Sequence, residues 1–350
     1  MQLTSQKNPL NKILVVRNDK LGDLLVSFSS FALLKENLPN TEIHALVSNY
    51  TAPMAEMCSY IDKVIIDPSN ETQSGWRRAT SLKKMLKQEQ YPVIISLFSS
   101  FHVGFAAFLA KIPMRIAPAT KIHQIFYNHR VVQRRSRSEK PEHRYNQDLA
   151  EYFLSKKQIA PIKSIKPPYL QFDTNIIVKL KNEFLHQHQI TNNPLIVFVH
   201  PGSGGSARNL STEQFSQLAN QLRSSRPLCI VVSYGPNEEE IAKNLYQAIT
   251  VSKILYASKE GLEKFSQHLQ FADCFISGST GPLHIAGVLD RPTAAFYTRR
   301  RSATALRWQT LNSENNRLAF YPPESAEPED MTSIDIKDAA NKISEQFLKK

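Results

Sequence analysis

Three short stretches of this sequence carry residue types that could do chemistry. The first is Asn18–Asp23 (NDKLGD), where Asp23 follows Gly22 at the start of an apolar helical pattern. A carboxylate on the loop after a strand can take a proton from a hydroxyl. The same carboxylate can equally serve to complement the positive end of the helix it starts, and position alone leaves the two readings even. The second stretch is Gly202-Ser203-Gly204-Gly205-Ser206-Ala207, after the apolar run Leu195–His200. Gly204 and Gly205 would let backbone N–H groups come close to an anion, and Arg208 would add a fixed positive charge. The third is Gly278-Ser279-Thr280-Gly281-Pro282, turn chemistry in which Ser279 or Thr280 can cap a helix and Pro282 fits its first turn. A strand–glycine turn–helix unit aims unpaired N–H groups and the positive helix end at one point, where a phosphate can sit. An ordinary turn of an α/β domain has the same outline.

Other chemistries fail on spacing. The glycine loop formally fits G-x-G-x-x-A, but its helix starts several residues late, and the next strand ends in Ser233-Tyr234 with no acid for a ribose. There is no G-x-x-x-x-G-K-[ST]. Ser277–Gly281 is a near miss to the nucleophile elbow G-x-S-x-G. A triad would need a histidine downstream of the serine, and the last histidine, His284, lies on the helix that serine would start. No H-E-x-x-H or C-x-x-C occurs, and His186 and His188 fall on different sides of a helix, so neither a required metal nor a cofactor is expected.

The elements that must position these residues alternate. Runs of buried-strand type at Lys12–Arg17, Ile43–Val47, Val64–Ile66, Val93–Phe98 and Met114–Ala117 are interleaved with helical patterns at Leu21–Leu38, Arg77–Gln90, Phe101–Lys111 and His143–Lys157. After the proline-bearing segment Ile159–Leu170 the logic repeats. Strands are predicted at Leu195–His200, Leu228–Ser233, Ile254–Tyr256, Phe271–Ser277 and Thr293–Tyr297. Helices are predicted at Asn175–Gln187, Thr212–Leu222 behind a Ser211–Gln214 capping box, Asn237–Ile249, Leu262–Leu269, Leu283–Leu289 and Ile334–Leu348. This pattern predicts two doubly wound parallel sheets with a cleft between the halves. The expected domains are 1–170 including the linker, 171–330, and a C-terminal helix in 331–350.

The 350 residues carry a formal net charge of +12, which calls for an anionic partner. Arg130, Arg134, Arg135, Arg137, Lys140 and Arg144 crowd one predicted loop, and Arg299, Arg300, Arg301 and Arg307 another. No apolar run reaches the ~20 residues of a membrane span, and no signal-peptide core precedes Arg17, so a cytoplasmic location is expected. Cys58, Cys229 and Cys274 are isolated and read as reduced core thiols.

Taken in order, KILVVRNDKLGD, HPGSGGSARNLS and ISGSTGPLHIAGVLDRPTAAFY, with SYGPNEEE and HRYNQDL more loosely, resemble the bacterial heptosyltransferases of glycosyltransferase family nine. The resemblance spans Lys12 to Tyr297. It implies a GT-B fold of two Rossmann-like domains, an N-terminal acceptor domain and a C-terminal nucleotide-sugar domain. It also implies inverting, metal-independent transfer of heptose from ADP-heptose to the lipopolysaccharide inner core (lipid A–Kdo) at the cytoplasmic membrane face. Carried over by position, Asp23 matches the general base. Arg208 stands where many members have a lysine against the donor diphosphate, and Ser279, Thr280, Gly281 and His284 match the donor-binding turn and helix, with Ser203, Gly204 and Gly205 of the glycine loop expected on the same donor side. In the acceptor-side half, Lys20, Arg130, Arg134, Arg135 and Arg137 would hold the phosphates and acidic sugars of the lipid core. Two departures bear on the sugar. Asn209 is followed by Leu210-Ser211 where members often have a basic residue and Asn-Trp-Pro, and some members have an aspartate in place of Ser279. Two readings of other classes stay open: a GT-B enzyme of different nucleotide-sugar chemistry, such as a UDP-sugar transferase or an epimerase, and a basic nucleic-acid-binding module. For the last, no aromatic-interleaved basic stripe is present.

Overall fold

A computed structural model of the chain describes residues 10–68, 74–161, 165–205 and 207–349. The predicted linker therefore lies partly outside the described residues. The chain forms two compact units, Met1–Arg134 with His143–Ile165, and Arg135–Glu142 with Lys166–Lys350.

Unit 1 begins β1 (Lys12–Val16), α1 (Leu21–Asn37), β2 (Glu42–Val47), α2 (Ala52–Glu56), β3 (Lys63–Ile66) and α3 (Gly75–Glu89). It continues β4 (Val93–Ser96), α4 (Phe101–Leu109), β5 (Met114–Pro118), β6 (His129–Val131) and α5 (Glu142–Lys156). Its six strands are all parallel, in the order β3-β2-β1-β4-β5-β6. Such a sheet is covered on both faces, which is why β1 reads as a continuous apolar run, with Ile13, Leu14, Val15 and Val16 all buried. Each fully buried side chain of this size contributes about 1.5–3 kcal/mol. Helix α3 buries Ala79, Leu82 and Leu86, at i, i+3 and i+7, in the same core as Val103, Ala106 and Ala107 of α4.

Unit 2 runs α6 (Thr174–Gln187), β7 (Leu195–His200), α7 (Thr212–Gln221), β8 (Leu228–Tyr234), α8 (Glu239–Ala248), β9 (Lys253–Ala257) and α9 (Gly261–Gln270). Then come β10 (Cys274–Gly278), α10 (Gly281–Val288), β11 (Thr293–Phe296), β12 (Arg317–Phe320) and α11 (Ile336–Ile343). Its sheet, β12-β11-β10-β7-β8-β9, is again all parallel and repeats the winding of the first. Helix α11, capped by Asp335 on the Asp338 amide, lays Ile336, Ala339, Ala340 and Ile343 onto the core that holds Phe215 and Leu218 of α7.

In each unit the order reverses at the centre of the sheet, between β1 and β4 and between β7 and β10. Loops leaving the two strands there part to opposite faces and open a crevice at the carboxyl ends. Three elements differ from expectation. Strand β6 falls inside the predicted basic loop, because three residues with a single apolar side chain give no run to read. Strand β12 and the one-turn helix α2 were unassigned for similar reasons of length. Strand β10 starts at Cys274 instead of Phe271, because Phe271 still donates its N–H to His268 of α9 and Ala272 to Leu269. Among the described residues no helix is long and apolar enough to cross a membrane.

Candidate active site

At the crevice of unit 1 the residue after β1 is Arg17, buried to 2% exposure despite its charge. An unpaired buried cation costs several kcal/mol, and this one is fully forked. Its Nε donates to Asp19 Oδ1 at 2.9 Å, one terminal nitrogen to Asn146 of α5 at 3.2 Å, and the other to the Asp23 carboxylate. Asp23 occupies the third position of α1, behind Lys20 at the N-cap, where no side chain makes a capping bond. It is therefore held by Arg17 and not by cap geometry, and this pairing points it to a fixed place at the sheet's carboxyl edge. Burial pushes the Asp19 carboxyl up. Arg17 opposes this, the Asp23 charge adds to it, and the result is about 6.

A second polar group, which the sequence reading missed, adjoins the first. Asn18 donates to Asp67 Oδ2 at 2.5 Å, and buried His102 at the start of α4 brings its Nε2 to the same oxygen at 3.1 Å. Asp67 directly follows β3, and His102 opens the helix after β4. The available signal was positional: polar residues at strand carboxyl ends on the edge that carries Asp23.

At the crevice of unit 2 the loop after β7 holds an anion of its own. Glu238, after β8, accepts from the Gly204 and Gly235 amides at 3.0 Å each and pairs with His200 Nε2 at 3.3 Å. Burial works against the charge, but the His200 bond and charge with the two amides outweigh it, and the carboxyl falls to about 2. Gly204 and Gly205 adopt φ of +52° and +72°, which suits glycine. Gly202 leaves room for this carboxylate, since a Cβ there would run into the Glu238 side chain. Sequence reasoning had offered the Gly204 amide to a phosphate, and in the structure it is engaged by Glu238.

Asn209 joins this loop to the next. Its amide donates to the Pro201 carbonyl at 2.9 Å, and its Oδ1 lies 2.5 Å from where a Gly278 Cβ would be. The Asn209-Leu210-Ser211 departure thus has a local logic, with Ser211 and Gln214 forming the expected capping box of α7. Thr280 is the N-cap of α10 and accepts from Leu283 N, placing Ser279 and Gly281 at the helix's positive end. His284 is buried one turn in, its ring edge-on to Trp308 at 6.3 Å. Arg208 is exposed and shares Glu329 with Arg300, at 3.9 and 3.8 Å, on a cavity of about 970 Å³ that Arg299 and Arg301 also line.

The basic residues expected to bind acceptor do not gather in one unit. Exposed Arg130 and Arg134 belong to unit 1, Arg135 and Arg137 to unit 2, and Lys20 is exposed beside Asp23. Arg135 has a structural partner: with Arg307 it pairs to buried Glu142, and Arg307 donates to the Arg135 carbonyl at 3.1 Å.

Residues 79–324 match the family model described as glycosyltransferase family 9 (heptosyltransferase). A Haemophilus influenzae protein with only a provisional glycosyltransferase name is 41% identical over 338 residues, 96% of either chain. Lipooligosaccharide heptosyltransferase 2 of Campylobacter jejuni is 26% identical over 304 residues, 84% of either. Among solved structures, the ADP-heptose lipopolysaccharide heptosyltransferase II of E. coli shares the fold with a TM-score of 0.75 at 17% identity, covering 96% of this chain and 98% of that one. With its two six-stranded parallel sheets and a family match across most of its length, this chain is a GT-B glycosyltransferase and belongs to family 9, the heptosyltransferases.

Proposed function

We propose that this enzyme moves heptose from ADP-heptose to a hydroxyl of the lipopolysaccharide inner core, with inversion and with Asp23 as general base. The observation that carries the reading is Asp23 at the crevice of unit 1, pinned by a buried arginine. Asp23 lies upstream of the stretch matched by the family model, so its role rests on this geometry and on the KILVVRNDKLGD motif. The E. coli heptosyltransferase II of similar fold is an ADP-heptose enzyme, and this supports ADP-heptose as the donor.

Asp23 takes the proton of the acceptor hydroxyl as that oxygen attacks the anomeric carbon from the face opposite the diphosphate. The bond from that carbon to the phosphate oxygen breaks, and ADP leaves with the electron pair. Charge growing on the diphosphate is met by Arg208 and by the end of α10 at Ser279–Gly281. Ser203 and Gly205 complete the donor side, and His284 braces the helix from within. Donors fixed in advance contribute several kcal/mol to such a step. The phosphates and acidic sugars of the acceptor fall to Lys20, Arg130, Arg134 and Arg137, and the lipid anchor of that acceptor brings the enzyme to the cytoplasmic face of the inner membrane.

The test is product analysis with ADP-heptose and, in parallel, UDP-sugars, on a truncated inner-core acceptor. ADP release with a new glycosidic bond of inverted configuration is the expected result. Transfer from a UDP-sugar with none from ADP-heptose would overturn the donor assignment, and epimerised sugar without transfer would overturn the reaction.

A further inference from the structure

Unit 1 exposes large apolar side chains in one neighbourhood, which a soluble surface ordinarily avoids. Trp76 at the start of α3 is 64% exposed, Phe108 at the end of α4 49%, and Ile122 and Ile125 on the helical turn after β5 80% and 66%. These are not scattered. The Trp76 ring meets Phe105 at 4.8 Å, Phe105 meets Phe126 at 5.2 Å, and Phe126 meets Phe108 at 6.1 Å. A ladder of rings thus ties α3, α4 and the turn Ile122–Phe126 into one surface, with Phe101 stacked on Phe105 behind it.

Along the stretch that carries Phe108, Ile122 and Ile125 the charges have one sign. No Asp or Glu occurs between Glu89 and Glu139, and the part of that stretch in unit 1 carries Lys111, Arg115, Lys121, Arg130 and Arg134. Exposed Arg77, Lys84 and Lys87 stand on α3, away from its buried Ala79–Leu82–Leu86 stripe. Two of the cations sit directly over rings, Arg115 over Phe108 at 5.6 Å and Lys121 over Phe98 at 4.9 Å. Long cationic side chains around exposed Trp, Phe and Ile suit a headgroup layer, with apolar tips entering the acyl boundary and charges remaining among the phosphates.

We infer that the face formed by Trp76, Phe108, Ile122 and Ile125, with its cationic rim, docks this enzyme on a bilayer containing anionic lipid. The inference deepens the proposed function and rests on its lipid-anchored acceptor. It also places the docking face usefully: Phe101 of the ladder precedes His102, whose partners Asp67 and Asn18 border the Asp23 crevice of the same unit. A bilayer held against α4 would present an anchored sugar near the carboxyl edge of the sheet that carries Asp23.

Co-sedimentation of the full chain with phosphatidylcholine vesicles, with and without about a third phosphatidylglycerol, tests this. The wild-type chain is expected to bind the anionic vesicles and lose binding as salt rises. The Ile122→Ser/Ile125→Ser pair removes only exposed side chains, so it should bind at least about tenfold more weakly at an unchanged melting temperature. Lys111→Gln/Lys121→Gln should bind about tenfold or more weakly and with a shallower salt dependence, since both cations attract the anionic headgroups. Turnover on a soluble, delipidated acceptor separates the two ideas. Normal turnover by both variants on that substrate, with lost vesicle binding, supports the docking face. A wild-type chain indifferent to anionic vesicles, or an isoleucine pair that binds them normally, overturns the inference without touching the proposed reaction. So does a concentration-dependent dimer in sedimentation velocity that the isoleucine pair abolishes, because the face would then belong to a second copy of the chain.

Discussion

Replacing Asp23 by Asn separates proton transfer from architecture. Asn keeps an oxygen that can accept from Arg17 but cannot take a proton at neutral pH. As general base, Asp23 is expected to account for about 10²–10⁴ in kcat, or about 2.7–5.4 kcal/mol of barrier. The structural cost should be far smaller. Breaking a buried ion pair outright costs about 3–5 kcal/mol, but Arg17 would keep Asp19 at 2.9 Å and Asn146 at 3.2 Å. Asp19 would also lose a neighbouring negative charge that raises its carboxyl, so it would ionise more readily and take up the pairing. The net loss should be about 1 kcal/mol, a melting shift of about 2–4 °C in a unit of this size. The assay is nucleotide release at saturating donor and acceptor, alongside thermal melting and ADP titration. Asp19→Asn is the control, because it removes the other carboxylate on the same guanidinium and should leave most turnover intact. The reasoning fails if Asp23→Asn turns over within about threefold of wild type, or if Asp19→Asn suffers the collapse expected of Asp23.

Three further outcomes follow from the same groups. The Asp19 carboxyl stands near 6 in the fold against an ordinary 3.8, so its contribution is fully present below about 3.8 and is lost as pH rises through 6. Urea denaturation between pH 4 and 7 should show this fall, at most about 3 kcal/mol, and Asp19→Asn should remove it. Glu238 behaves oppositely: its carboxyl is near 2 against 4.5, so its stabilisation is present above 4.5 and is lost as pH falls through 2. Glu238→Gln should cost about 2–3 kcal/mol at pH 7 by guanidinium unfolding, with the difference vanishing near pH 2. Arg135 and Arg137 should part company in one experiment. Arg135→Gln breaks the Glu142–Arg307 group and should lower the melting temperature, whereas exposed Arg137→Gln should leave it unchanged and raise only the acceptor KM.

Legibility in the sequence followed the length of each pattern. Both sheets were readable because their central strands are unbroken apolar runs, and Leu195–His200 appears with the predicted bounds. The Ser211–Gln214 capping box was readable because it involves residues three apart. The short edge strands β6 and β12 were not, since a few residues with mixed polarity leave pairing as the only reason to be extended. At the sites, types and turns were visible but partners were not. Asp23 could be singled out as a loop carboxylate, while its bond to Arg17 depends on how tightly α1 follows β1. His102 and Asp67 lie 35 residues apart and meet only because β3 and β4 end on the same edge. Glu238 occupies the anion position of a glycine loop 34 residues upstream of it, and no local pattern records that.

The same winding appears in both units, yet their crevices carry opposite chemistry, and the loops after the central strands account for the difference. After β1 only Arg17–Lys20 precedes α1, so the chain has little freedom and Asp23 is fixed by a helix and a buried guanidinium together. After β7 the chain runs from Pro201 to the Ser211 cap through glycines with positive φ, and its donors to an anion are backbone amides. A base that must meet one oxygen benefits from the first arrangement, since a misplacement of about 1 Å can cost about 10²-fold. The second arrangement holds Glu238 itself, whose carboxylate the Gly204 and Gly235 amides and His200 Nε2 surround. That carboxylate keeps both amides satisfied.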